Sequence, residues 1–284
     1  MRAPAPGLER FIDLWGLEMV GRPGGRARYP GAGDVVFVRR GAVELVLKTI
    51  PAGTDEARSA EVLAHWDGHG AVRLVEHAPG AVLLERARPG DDLAGLVAAG
   101  DDEAATEILC DVMRRLDRRA PADAPFRTVE DWGQGFARNR AAAVAAGIEA
   151  DLIDRAQRVF GRLCATQGAR VLLHGDLQHY NVVRDQARGW LAIDPKGVLG
   201  EAAYEAGAML RNPNVDDGCA ARPAILARRI DHVCARLGHP RERIVGWCFS
   251  QWMLSILWAI EDRFPFAPHW LDGPRAAAAM LPAG

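Results

Sequence analysis

Residues 171–184 read VLLHGDLQHYNVVR, a polar segment holding His174, Asp176, His179 and Asn181 between two aliphatic runs. Asp176 and Asn181 stand five apart, and a further acid, Asp194, ends the next apolar run in LAIDPKG. Asp176, Asn181 and Asp194 all present oxygen, the ligand type that hard cations such as magnesium select. A carboxylate not engaged by metal can take a proton from a nucleophilic hydroxyl. Two chemistries fit. In a phosphoryl-transfer loop, Asp176 orients and deprotonates the acceptor hydroxyl while Asn181 and Asp194 hold magnesium on nucleotide phosphates. In a metal-dependent hydrolase, His174, Asp176, His179 and Asp194 form the cage. Against both stands a plain polar turn whose Asp and Asn satisfy backbone groups.

Upstream residues separate these readings. In VELVLKT, strand alternation puts Val43, Leu45 and Leu47 on one face and Glu44, Val46 and Lys48 on the other. Lys48 and Val46 then resemble a strand lysine that pairs nucleotide phosphates beside an apolar roof for the adenine. Glu61, on the helix read from SAEVLAHW, is the expected ion-pair partner of Lys48, with Glu56 as its rival. The turn PGAGDVV offers Gly31 and Gly33, where backbone amides could approach phosphate. A glycine turn, a strand lysine, a helix glutamate, an apolar strand ending in LLER, H-G-D with Asn five after Asp and then another Asp reproduce the parts of a kinase in order. A hydrolase needs neither Lys48 nor Glu61.

The elements that must position these groups divide the chain. Residues 34–39, 43–49 and 81–86 read as strands of a small sheet, with Thr54 and Asp55 as candidate caps for the helix between the last two. After PGDD the period becomes helical: Ala105, Ile108, Leu109, Val112, Met113 and Leu116 draw one stripe, and Leu152, Ile153, Ala156, Val159, Phe160 and Leu163 another. Residues 222–237 and 241–262 are helical more loosely, and VLL, NVVR and WLAI return to strands. The expected fold is α+β and two-lobed, with a β-rich N-terminal nucleotide lobe over 1–87 and a larger, mainly helical catalytic and substrate lobe over 88–284.

Composition narrows the function. A net charge of -2 and a pI near 6.5 give no footprint for nucleic acid. Five cysteines without a C-x-x-C pair encode neither a disulfide framework nor a zinc site, which suits a reducing cytoplasm. The apolar stretch WCFSQWMLSILWAI is shorter than a membrane span and reads as a buried helix.

The stretches LLHGDLQHYNVVR, WLAIDPKGVLGEAAYEAGAMLRNP, WCFSQWMLSILWAIED, HWDGHGAVRLVEH and AVLLERARPGDDL resemble the streptomycin 6-phosphotransferase and hydroxyurea phosphotransferase family of aminoglycoside kinases. The resemblance implies a protein-kinase-like fold and transfer of the γ-phosphate of ATP, or GTP, to a small-molecule hydroxyl with Mg2+. By motif, Asp176 would be the base, Asn181 and Asp194 the metal ligands, Lys48 the phosphate lysine and Glu61 its partner, with the backbone of Glu85, Arg86 and Ala87 meeting the adenine. His174 would brace the loop. Lys196 would either neutralise the transferring phosphate or pair with a carboxylate. The family points to the 6-position of streptomycin and to resistance, with hydroxyurea or a metabolite as other acceptors and a catalytically silent binding module as a further reading. A cationic acceptor calls for carboxylates, for which Asp131, Asp216, Asp217, Glu261 and Asp262 are candidates, with Trp132, Trp252 and Trp258 as walls. Glu261 and Asp262 stand out because two acids follow a helix end that favours cations. No membrane or nucleic-acid partner is expected, and the protein is expected to be a monomer or weak dimer.

Overall fold

The computed structural model describes residues 7–24, 33–116, 119–120, 125–213 and 219–282. Its first part carries α1 (Leu8–Leu14), β1 (Glu18–Gly21), β2 (Val35–Arg40), β3 (Val43–Thr49), α2 (Ser59–Trp66), β4 (Leu74–Ala78) and β5 (Ala81–Glu85). These strands form one antiparallel sheet in the order β1-β2-β3-β5-β4. Alternation gives the sheet two faces. Val36, Val38, Leu45, Leu47, Ala81 and Leu83 close a small core with Phe11 of α1. Val46, Val82 and Leu84 belong to the other face, which joins the main core with Val62, Leu63 and Trp66 of α2. Lys48 pairs with Val82 across β5, and Val46 with Leu84, so the lysine lies on that second face.

The remainder contains β6 (Pro89–Asp92), α3 (Ala94–Ala98), α4 (Asp102–Leu116), α5 (Val129–Ala145), α6 (Ala150–Ala165), β7 (Val171–Leu173), β8 (Val182–Asp185), β9 (Gly189–Ala192), β10 (Val198–Gly200), α7 (Ala206–Leu210), α8 (Pro223–Leu237), α9 (Arg241–Glu261) and α10 (Asp272–Ala279). α9 is apolar and long enough to cross a membrane, but most of it is buried. It packs against α5, α6, α7, α8 and α10, as the core helix expected over 241–262. The two stripes seen in sequence fall on α4 and α6, whose buried residues include Leu109, Val112, Ile153 and Phe160.

Two small antiparallel pairings frame the polar segment. β7 pairs with β10, and β8 lies between β6 and β9. The chain therefore leaves β7 into residues 174–181 and returns through β8, then leaves β9 into residues 193–197 and returns through β10. Both polar turns emerge at the same end of their strands, with Ile193 N donating to Asn181 O at 2.9 Å and Lys196 N to His174 O at 2.8 Å.

Candidate active site

His174, wholly buried, fixes the first turn. Its amide donates to Glu205 Oε2 at 2.6 Å, its Nε2 lies 2.8 Å from the Ile193 carbonyl, and its Nδ1 accepts from the Asp176 amide at 3.2 Å. Those bonds require the neutral tautomer protonated on Nε2. Burial favours that neutral ring and pushes the His174 pKa down to about 4. The ring stacks on Trp66 of α2, centroids 6.0 Å apart. The brace expected of His174 is what the structure contains.

Glu205, buried just before α7, accepts from three amides of the turn: His174, Gly175 at 3.1 Å and Leu177 at 3.4 Å. Burial raises its pKa to about 7, with the amides from Leu177, His174 and Gly175 opposing that rise. Sequence reasoning passed over Glu205. The signal was an acid inside EAAYEAGAML, where an apolar helix start leaves no solvent for a carboxylate.

These bonds leave Asp176 partly open to solvent, its side chain 22% exposed. Asn181 Nδ2 donates to the Asp176 carbonyl at 2.9 Å and lies 3.4 Å from its Oδ2. The carboxylate meets Lys196 Nζ at 3.7 Å and Arg211 Nη2 at 3.3 Å. Of the two roles open to Lys196, the carboxylate pairing is therefore present. Arg211, which follows α7 in MLRNP, was not anticipated.

Lys48 meets the second polar turn from β3. Its Nζ bridges Glu56 Oε2 at 2.6 Å and Asp194 Oδ1 at 2.9 Å. Burial works against the ammonium, but the charges of Asp194 and Glu56 outweigh it and its pKa stands above the ordinary value. Glu61, the expected partner, is not the residue that pairs with Lys48: it is half exposed, in the first turn of α2, and faces Arg58 at 3.5 Å. Glu56 instead sits in the 3₁₀ turn Asp55–Arg58, where the chain approaches the end of β3. Thr54 precedes that turn, and its hydroxyl donates to Pro51 O instead of capping α2.

The other expected residues divide. A Cβ on Gly33 would fall 1.6 Å from Thr49 O, so close approach of the chain to the end of β3 already demands glycine there. Gly31, Asp216 and Asp217 lie outside the described residues. The Glu85 amide donates to Arg73 O at 3.0 Å and its carboxylate binds Arg188, so that amide is not open to a base. Arg86 stacks on Phe37 at 3.7 Å and pairs with Glu44 at 2.8 Å, while Ala87 packs against the main core. Glu261 is no electrostatic orphan at the end of α9: Arg138 grips it at 2.8 and 3.1 Å and Asn139 Nδ2 at 2.8 Å. Asp262 is exposed beside it. Asp131 closes a capping box with Thr128 at the start of α5. Trp132 lies beneath Gly175, Trp252 against Gly273 and Trp258 against Gly135, so these tryptophans pack helices and the loop. His179 is buried, and burial pushes its pKa down to about 3.

Among the described residues no group of three or more His, Cys, Asp or Glu forms a metal cage, and both ring nitrogens of His174 are engaged by backbone groups, so His174, Asp176, His179 and Asp194 do not form the cage that the hydrolase reading requires. One carboxylate, Asp194, and one carboxamide, Asn181, do suit a magnesium ion that takes its other ligands from phosphates and water.

A lysine bridged to two carboxylates opposite a buried-histidine loop bearing Asp and Asn defines a two-lobed, kinase-like phosphotransferase. Solved structures support that fold: a choline kinase, LicA, from Streptococcus pneumoniae matches with a TM-score of 0.60 over 95% of each chain at 14% identity. A thermostable mutant of aminoglycoside phosphotransferase APH(4)-Ia, solved with ADP and hygromycin B, matches at 0.62 over 95% of each chain, also at 14% identity. Residues 31–263 match the aminoglycoside/hydroxyurea antibiotic resistance kinase family, and the chain belongs to it. It is 36% identical to a streptomycin 3''-kinase of Klebsiella pneumoniae over 80% of this chain and 84% of that one. It is 31% identical to a streptomycin 6-kinase of Streptomyces glaucescens (90% and 82% covered) and 32% to a hydroxyurea phosphotransferase of Kitasatospora aureofaciens (89% and 72%). The protein is thus an antibiotic-modifying phosphotransferase that acts on a small-molecule hydroxyl.

Proposed function

We propose that this enzyme transfers the γ-phosphate of ATP to a hydroxyl of streptomycin. The observation that carries the reading is the convergence of Asp176, Asn181, Asp194 and Lys48 on one cleft, Lys48 being tied to Asp194 at 2.9 Å, in a chain whose relatives include streptomycin kinases.

In this mechanism ATP lies between the lobes formed by residues 1–87 and 88–284, its adenine under Val46 and against the backbone of Arg86 and Ala87. Lys48 pairs with the phosphates and Glu56 holds the lysine in place. Gly33, where the chain runs close to the end of β3, would lie beside the phosphates. Asn181 and Asp194 would hold Mg2+, which supplies charge neutralisation on the phosphate oxygens. Asp176 accepts the proton of the acceptor hydroxyl as its oxygen bonds to the γ-phosphorus and the bond from phosphorus to the β-phosphate oxygen breaks, releasing ADP. Lys196, beside Asp176, offsets the charge of the transferring group. Phosphate adds bulk and negative charge to a cationic drug, and a monomer or weak dimer in the cytoplasm would intercept it there.

The resemblance favours the 6-hydroxyl, whereas the relative at 36% identity is named for the 3''-hydroxyl. A panel of streptomycin, other aminoglycosides, hydroxyurea and amino alcohols, assayed for magnesium-dependent ATP consumption, tests the acceptor, and 31P NMR of the product locates the phosphate. Streptomycin turnover is expected. No turnover of streptomycin beside turnover of hydroxyurea would move the acceptor to the latter. Asp176→Asn is expected to lower kcat by ~10²- to 10⁴-fold.

A further inference from the structure

Arg211 touches the group on which transfer depends, yet no part of the mechanism above uses it. It is the residue that ends α7, and its side chain is only 14% exposed. Its Nη2 lies 3.3 Å from Asp176 Oδ1, while the other carboxylate oxygen, Oδ2, faces Lys196 at 3.7 Å and Asn181 at 3.4 Å. The two oxygens therefore have separate partners: Oδ1 meets Arg211, and Oδ2 meets Lys196, from the turn that also carries Asp194, and Asn181.

Comparison with another buried arginine shows why this contact is not mere packing. Arg229, 2% exposed, has its guanidinium gripped by Asp102 and by the Asn212 carbonyl at 2.6 Å. Arg211 is not satisfied in that way, because its Nε is buried and has no partner among the described residues. A guanidinium withdrawn from water at that cost needs a compensating charge, and Asp176 is the carboxylate it meets. The position in the chain is equally telling. Glu205, one residue before α7, holds the backbone of the turn through His174, Gly175 and Leu177. Arg211, one residue after α7, holds the side chain that the same turn presents.

We propose that Arg211 is a positioning residue for phosphoryl transfer: it anchors Asp176 Oδ1 so that Oδ2 points at the acceptor hydroxyl. The proposal rests on the reading of Asp176 as the base. Misaiming a reacting group by an ångström costs on the order of 10²-fold in rate, which sets the expected scale.

A double-mutant cycle with the acceptor returned by the panel tests it. Arg211→Gln is expected to lower kcat by ~10- to 100-fold and leave the KM for ATP within about twofold, since nothing that touches nucleotide has changed. Arg211→Lys, which keeps the charge but lacks the fork, is expected to recover part of the loss. In an Asp176→Asn background, Arg211→Gln should change kcat by less than about threefold, because no carboxylate remains to be aimed. The same loss in both backgrounds, or a wild-type kcat in Arg211→Gln, overturns the proposal. Should the glutamine variant fail to fold, Arg211→Lys is run through the same cycle, and a wild-type kcat there overturns it equally. If Asp176→Asn alone keeps full kcat, the base reading fails and this proposal falls with it, a result distinct from an additive cycle.

Discussion

On the larger lobe's side of the cleft, the turn from His174 to Asn181 is fastened out of water, by three amides on Glu205 and by a neutral imidazole between two backbone groups. On the sheet side, buried Lys48 has no backbone partner of that kind among the described residues and is held by two charged side chains, Glu56 and Asp194 at 2.6 and 2.9 Å. The difference matches what each side must do. The turn aims a proton acceptor and gains from being overdetermined. The lysine must exchange a carboxylate for phosphate oxygens, which a strained or fully hydrogen-bonded setting would oppose.

The largest effect should come from breaking the dry side. Glu205→Ala strips the buried amides of His174, Gly175 and Leu177 of their acceptor. At ~1–3 kcal/mol for each unsatisfied buried group, a stability loss of roughly 3 kcal/mol or more is expected in urea unfolding, with kcat falling alongside. A variant that unfolds at the wild-type midpoint would mean that the turn does not depend on this carboxylate.

Smaller and confined to nucleotide handling is the change expected on the charged side. Glu56→Gln removes one of the two carboxylates on Lys48 and should raise the KM for ATP by about tenfold, the scale of one charge-assisted hydrogen bond. Glu61→Gln, at a carboxylate that meets the exposed Arg58, should stay within about twofold. Equal effects from both would return Glu61 to the site.

The dry side should also be the acid-sensitive one. His179 has a pKa pushed down to about 3 by burial, so its contribution to stability is complete above the ordinary histidine pKa near 6.5 and is lost as pH falls below it. His179→Leu abolishes that titration. Relative to wild type, the variant should gain ~1–2 kcal/mol between pH 7 and pH 5, read from urea midpoints at the two values. A gap that does not change with pH would show His179 to be solvated.

Much of this arrangement was legible in the chain because it is periodic or local. The alternation in VELVLKT put Lys48 and Val46 on one sheet face, and SAEVLAHW is α2 to the residue. H-G-D with Asn five later set Asp176 and Asn181 in one turn, as their 2.9 Å contact shows. What escaped are relations that depend on distant segments meeting. Glu56 and Glu61 are both acids near one helix start, and only the path of the chain past β3 decides between them. Glu205 and Arg211 lie about thirty residues beyond the turn they hold, and neither carries a local pattern. β1 and β4 were missed because their exposed or half-exposed residues lack an apolar alternation.

Glu261 marks the same limit from the other direction. Two acids at a helix C-terminus suggested a seat for a cationic acceptor, but Arg138 and Asn139 of α5 already meet the first of them. An exposed pair of this kind contributes under about 1 kcal/mol, so Glu261→Gln should barely move the unfolding midpoint. It should also leave the KM for streptomycin within about twofold, because the carboxylate already faces an arginine and offers a cation little net charge. A tenfold rise in that KM, with kcat unchanged, would show that the acceptor displaces Arg138 and that the end of α9 belongs to its pocket after all.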